Sequence, residues 1–131
     1  MTEQAQQPTF DLRRVYLKDA SLEIPNAPVV FLENEAPKVN IEIGIETRAL
    51  DSDAHEVDVT ATLSATSNDK TFFLVEAKQS GVFEITGIEG EQLDSILNIV
   101  CPSMLFPYLR ANVTDLLTRA TLPPLYLNEI N

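Results

Sequence analysis

KVNIEIGIET (38–47) and HEVDVTATLSA (55–65) decide the fold. In the first, Val39, Ile41, Ile43 and Ile45 alternate with Asn40, Glu42 and Glu46. In the second, Val57, Val59, Ala61, Leu63 and Ala65 alternate with Glu56, Asp58, Thr60 and Thr62. Successive side chains of a strand point to opposite faces, so each run predicts a strand with one buried and one solvated face. The turn-forming ALDSD (49–53) joins them, and TSND (66–69) leads into TFFLVEAKQ (71–79). Antiparallel hairpins in a meander are the simplest arrangement. The third run differs: Phe73, Val75 and Ala77 share one face while Phe72 and Leu74 fall on the other, so its first half is apolar on both sides.

Upstream, Phe10 to Ile24 forms another strand. Phe10 and Leu12 share one parity, Val15 and Leu17 the other, and an extra residue near Arg13-Arg14 would restore the register as a bulge. Residues 1–9 are polar and expected to be a disordered tail, leaving 10–131 as a single domain. IPNAPVVFLENEAP (24–37) carries Pro25, Pro28 and Pro37, which exclude a helix interior or a central strand; it predicts a long, partly apolar connection. Downstream, Thr86-x-x-Glu89 resembles a capping box, and Leu93, Ile96, Leu97 and Val100 follow helical spacing. Pro102 should close that helix. A second follows through Leu105, Leu109, Val113, Leu116, Leu117 and Ala120, with Pro107 near its start and Leu122-Pro123-Pro124-Leu125 at its end. Strands followed by helices predict an α+β fold: a four-stranded antiparallel sheet with C-terminal helices packed on one face.

A net charge of −11 repels phosphate backbones and anionic lipid, and favours a basic protein partner. One cysteine cannot form an internal disulfide, the N-terminus has no basic start or apolar stretch of a signal peptide, and VVFL (29–32) is far too short to span a bilayer; a cytosolic protein without membrane insertion is expected. His55, beside Glu56, is expected to be a solvated turn histidine. No catalytic triad, phosphate loop or dinucleotide fingerprint is present, Cys101 and His55 lack further metal ligands, and Glu42 with Glu46 belongs to a solvated face. No enzyme activity, cofactor or metal is expected. The surplus of apolar surface says more. Phe72, Leu74, VVFL and LFPYL (105–109) lack obvious cover, so they either form an interface or are covered by the proline-rich connection.

KDASLEIPNAPVVF (18–31), SGVFEITGIEG (80–90) and CPSMLFPYLRANVTDLLTRATLPPL (101–125) together resemble the SecB protein-export chaperone family, collinearly from about Phe10 to Leu127. The resemblance implies an ATP-independent holdase of the bacterial cytoplasm that binds unfolded precursor proteins and hands them to the SecA motor. It also implies a homotetramer, a dimer of dimers with the helices sandwiched between sheets. On this resemblance Asp19, Glu23, Leu74 and Glu76 would dock SecA, and Val75, Ala77 and Gln79 would affect tetramer assembly. Ile24, Val29, Phe31, Leu32, Leu105 and Phe106 would contact clients. Family members continue into another amphipathic helix and an acidic tail that contacts the motor, whereas this sequence stops at YLNEIN. Without that helix one wall of the client groove would be missing, and more of LFPYL would be exposed. Two other readings stand beside this one: a SecB-like chaperone of a toxin–antitoxin system, and a small-ligand-binding α+β domain using the sheet–helix cavity.

Overall fold

The structure, a computed structural model, describes residues 7–123. Most of the expected N-terminal tail and the end of the chain from Pro124 onward lie outside the described residues. The alternating runs form long strands: β1 (Thr9–Glu23), β2 (Lys38–Ala49), β3 (Ala54–Ser67) and β4 (Lys70–Thr86). They make one antiparallel sheet in the order β1-β4-β3-β2. The meander holds for β2, β3 and β4. The first strand lies beyond β4 rather than beside β2, a Greek-key order that the long connection 24–37 makes possible. Thr9, assigned to the tail by its polar surroundings, is already the first residue of β1 and pairs with Thr86.

Turn chemistry fixes the register. Asn68 and Asp69 both have positive φ (50° and 62°), which a two-residue β3–β4 hairpin with matching twist requires. The bulge expected in β1 lies between Leu12 and Arg14, and a second lies between Leu17 and Asp19. Two shifts return the strand to its starting parity, so residues after Lys18 face the sheet side opposite to that expected from one bulge.

Pro102 does not end a helix. The chain runs from α1 (Gly90–Ser95) through a π-helical turn (Ile96–Val100) into α2 (Cys101–Arg119) with helical dihedrals at both junctions. The Cys101 amide donates to the Ile96 carbonyl, five residues back. That wider turn absorbs the missing amide donor and the pyrrolidine ring of Pro102 where an α-turn would clash. Nor does Thr86 cap the helix. It ends β4 with its hydroxyl on that of Thr9, and Glu89 occupies the N-cap without a side-chain bond.

The core lies between one sheet face and α2. Cys101, Leu105, Leu109, Val113 and Leu117 recur every fourth residue and pack over Val57, Val59, Leu63, Val75, Ala77 and Phe83. The approach is close at Gly81, where a Cβ would stand 2.8 Å from Leu105 Cδ2 and 3.2 Å from the Arg14 carbonyl oxygen. The connection 24–37 is pinned to the β3–β4 end of the sheet. Asn26 Nδ2 donates to the Thr71 carbonyl at 2.9 Å, and Ser67 Oγ donates to the Glu35 carbonyl at 3.2 Å. A single 3-10 turn, Val29–Leu32, drives Val30 fully into the core and lays Phe31 edge-on against Phe72, with ring centres 5.9 Å apart. The register shift between Ala65 and Thr66 leaves Phe72 without a β3 partner, and the loop covers it.

Candidate functional site

A helix is about 10 Å across, whereas strands are spaced about 4.8 Å apart, so one helix covers roughly two strands. Here α2 lies over β4 and β3 and reaches β1, while β2 is approached mainly by the π-turn. The isoleucine face of β2, expected to be buried, is therefore left half-covered: Ile41 is 42% and Ile45 43% exposed. Next to it lies a cavity of about 300 Å³ lined by Ile43, Ile45, Val59, Ile99, Pro102 and Phe106, with Asn98 and Ser103 at its margin. Those two polar side chains each donate to the helix backbone: Asn98 Nδ2 to the Asp94 carbonyl at 2.8 Å, and Ser103 Oγ to the Ile99 carbonyl at 2.7 Å. The wall they leave is apolar. Ile99, Val100, Met104 and Tyr108 add a second exposed apolar stripe along the helix.

The residues expected to contact clients separate in this geometry. Val29, Phe31 and Leu32 are exposed on the 3-10 turn, Leu32 to 80%, and Ile24 is half-buried at the start of the connection. Phe106 is nearly buried but lines the cavity. Leu105 is fully buried against Gly81 and presents nothing to a ligand. One residue of difference on a helix is a 100° rotation, which is why neighbours in LFPYL have opposite fates.

The other sheet face is polar. Glu23 pairs with Leu74, Ser21 with Glu76, and Asp19 with Lys78. Paired residues of an antiparallel sheet point the same way, so Asp19, Glu23, Leu74 and Glu76 come together on one exposed patch. Val75, Ala77 and Gln79 lie on the opposite side of β4, buried beneath α2. Gln79 donates to the Tyr16 carbonyl at 3.0 Å and accepts from Asn112 Nδ2 at 2.6 Å, tying β1, β4 and α2 together.

Beside the acidic patch is a buried charge cluster on residues expected to be solvated. Glu56 and Asp58 are both 6% exposed because β3 is an interior strand and long side chains fold over it. Glu56 accepts from Tyr16, from Arg48 and from Lys18 Nζ at 2.9 Å; Asp58 accepts from Ser80 Oγ at 2.6 Å. Burial alone would raise the Glu56 pKa, but the bonds from Tyr16, Lys18 and Arg48 outweigh it and lower it from 4.5 to about 2. The folded carboxyl thus holds its proton less tightly than the unfolded one. The stability it contributes is present in full above pH 4.5 and is lost as pH falls toward 2. Glu56→Gln is expected to lower stability near neutral pH and to flatten the acid dependence across that window, as read by urea unfolding at a series of pH values.

His55 is likewise nearly buried, as the second residue of an interior strand rather than a turn residue. Cys101 is free and wholly buried, and burial pushes its thiol up to about 12, far from a reactive thiolate. Among the described residues no cluster of three or more His, Cys, Asp or Glu could hold a metal ion. Among them, too, no helix is long and apolar enough to cross a membrane.

The family model described as preprotein translocase subunit SecB matches residues 3–131. A protein-export protein SecB of Paraburkholderia phymatum is 48% identical over 131 residues, covering 100% of this chain and 84% of that protein. One from Bordetella petrii is 54% identical over 124 residues, covering 95% of this chain and 71% of that one. Among solved structures, a SecB-like chaperone of Mycobacterium tuberculosis, in complex with a peptide from the HigA1 antitoxin, superposes with a TM-score of 0.72 at 22% identity, covering 93% of this chain and 88% of that one. At that identity the likeness is one of fold. With a matching family model over nearly its whole length and relatives at about half identity, this chain belongs to the SecB family of protein-export chaperones.

Proposed function

We propose that this chain is an ATP-independent holdase that binds unfolded precursor polypeptides in the bacterial cytoplasm and delivers them to the SecA motor. The observation that carries it is the half-exposed isoleucine face of β2 running beside an apolar cavity. A soluble chain leaves such a strip open at a cost, and an unfolded polypeptide is the ligand that can use its whole length. Ile24, Val29, Phe31, Leu32 and Phe106 extend the client surface. The exposed stripe Ile99, Val100, Met104 and Tyr108 supports assembly of helices against a second copy, as a dimer of dimers. Val75, Ala77 and Gln79 would influence that assembly through the seat of α2. The holdase reading is tested by aggregation suppression of an unfolded protein without nucleotide. Suppression near equal molar ratio supports it; none, together with tight binding of a small apolar ligand in the cavity, overturns it in favour of a ligand-binding domain.

The acidic patch Asp19, Glu23, Leu74 and Glu76 is the proposed seat of the motor. It lies on the opposite sheet face from the isoleucine strip, so the two activities are separable. Asp19→Lys combined with Glu76→Lys is expected to weaken SecA binding roughly tenfold at low salt while client holding is unchanged. Titration calorimetry with SecA checks the first outcome and aggregation suppression the second.

A further inference from the structure

Among the described residues β1 is held in the sheet by β4 alone, so its register is supported from one side only. Tyr16 lies opposite Ser80 on the polar face. Unbroken alternation from Tyr16 would send Lys18, Ala20 and Leu22 to that face, and Asp19, Ser21 and Glu23 to the face that carries α2. The second register shift prevents this. Lys18 has no partner of its own on β4, and pairing resumes with Asp19 opposite Lys78. Asp19 and Glu23 thereby join Leu74 and Glu76. Apolar packing holds this arrangement weakly, because Ala20 is exposed and Leu22 only half-buried. Polar bonds hold it on both sides of the shift. Lys18 Nζ lies 2.9 and 3.0 Å from the two oxygens of Glu56 and 3.8 Å from Asp58 Oδ2. The Tyr16 hydroxyl donates to Glu56, and the Tyr16 carbonyl accepts from Gln79 Nε2. Glu56 and Asp58 are nearly buried on the interior strand β3, and Ser80 fixes Asp58 in turn.

We propose that Lys18 is a positioning residue of the motor seat: pinned to Glu56 and Asp58, it holds the bulge that turns Asp19 and Glu23 onto the patch of Leu74 and Glu76. This rests on the reading of that patch as the seat of SecA, and adds a residue that acts through its neighbours. A bulge kinks its strand, increases the local twist and re-aims the side chains beside it. Where the flanking residues are polar, as Lys18 and Asp19 are, the register is weakly specified and the bulge needs an anchor. Lys18 is that anchor, and Arg48 takes Glu56 from the opposite side, so the four charges balance. Charge alone would give Lys18 the opposite role. A cation beside an acidic patch repels a basic partner, so its removal on electrostatic grounds would strengthen docking. Positioning requires that removal weaken docking, and the sign separates the two.

The test is Lys18→Met, which keeps an unbranched apolar stem and removes the pin. SecA binding to the whole protein, measured by titration calorimetry, is expected to weaken about tenfold. Amide hydrogen exchange over residues 19–23 should quicken, while client holding and sedimentation stay unchanged. Lys18→Arg, whose fork also fits a carboxylate, should keep SecA affinity within about twofold. Lys18→Met with Asp58→Asn removes the carboxylate left unpaired, so that folding is secure, and should still bind weakly. Unchanged or tighter SecA binding in Lys18→Met, or recovery in the double variant, overturns the positioning role. Dissociation of the assembly alongside the loss would assign Lys18 to assembly and overturns it too. The seat is tested apart from this by Asp19→Lys with Glu76→Lys. If that pair weakens SecA binding and Lys18→Met does not, only the positioning role falls; if that pair leaves binding unchanged, the seat and the positioning role fall together.

Discussion

Leu105→Ala is expected to lower the free energy of unfolding by about 2–5 kcal/mol and to leave client holding by the folded fraction unchanged. Leu105 is fully buried and packs over Gly81, which leaves no room for a Cβ between β4 and α2. Truncation removes apolar contacts and leaves a void that a sheet with a helix seated on it can only partly close. Gly81→Ala is expected to destabilise for the opposite reason, since its methyl would stand 2.8 Å from Leu105 Cδ2. The two changes should not add. In the double variant the new methyl occupies part of the void, so the loss should be smaller than the sum, though Phe83 and the Arg14 carbonyl still crowd that methyl. Urea unfolding of the four proteins checks this. An additive cycle would show that the two residues do not share one contact. Loss of client holding in excess of the unfolded fraction would return Leu105 to the binding surface.

How much of this was legible in the sequence depends on what each residue had to know. Strand existence is local: the alternation in KVNIEIGIET and HEVDVTATLSA carries it without reference to the rest of the chain. The bulge at Arg13 is local too, since parity changes across it. The second bulge at Lys18 was hidden because Lys18 and Asp19 are both polar, so slipping by one residue breaks no apolar pattern. Strand order is not local at all. Whether β1 lies beside β2 or β4 depends on where a fourteen-residue connection returns, and its prolines say only that it is irregular. Pro102 misled for a physical reason: its penalty assumes an α-turn before it, and the chain supplies a π-turn instead.

The candidate site was legible in kind but not in place. Surplus apolar surface could be counted from the sequence, and so could the shortage of helix to cover four strands. Taken together, those two counts would have exposed the β2 isoleucines, which alternation alone assigns to a buried face. The charge cluster was missed because Glu56 and Asp58 share a pattern with solvated acids. Their burial comes from Arg48 across the β2–β3 hairpin and from Tyr16 and Lys18, which reach over from β1, a strand distant in sequence.

The strip itself yields the sharpest functional result. Ile41→Asp with Ile45→Asp is expected to weaken client binding by roughly thirty- to a hundredfold, about 2–3 kcal/mol, because two apolar contacts are lost and two carboxylates must be desolvated against the client. Both side chains are already about two-fifths exposed on an edge strand, so folding should lose only about 1–2 kcal/mol from each change. That separation of effects distinguishes a binding strip from a core. Were Ile41 and Ile45 merely poorly covered core, the stability loss would be large and holding would track the folded fraction. Aggregation suppression, thermal unfolding and sedimentation of the same sample decide among the outcomes. Holding lost with fold and assembly intact assigns the strip to clients. Holding retained in the folded variant removes it from the binding surface. Dissociation of the assembly with holding retained by the protomers would make the strip a contact between copies of the chain.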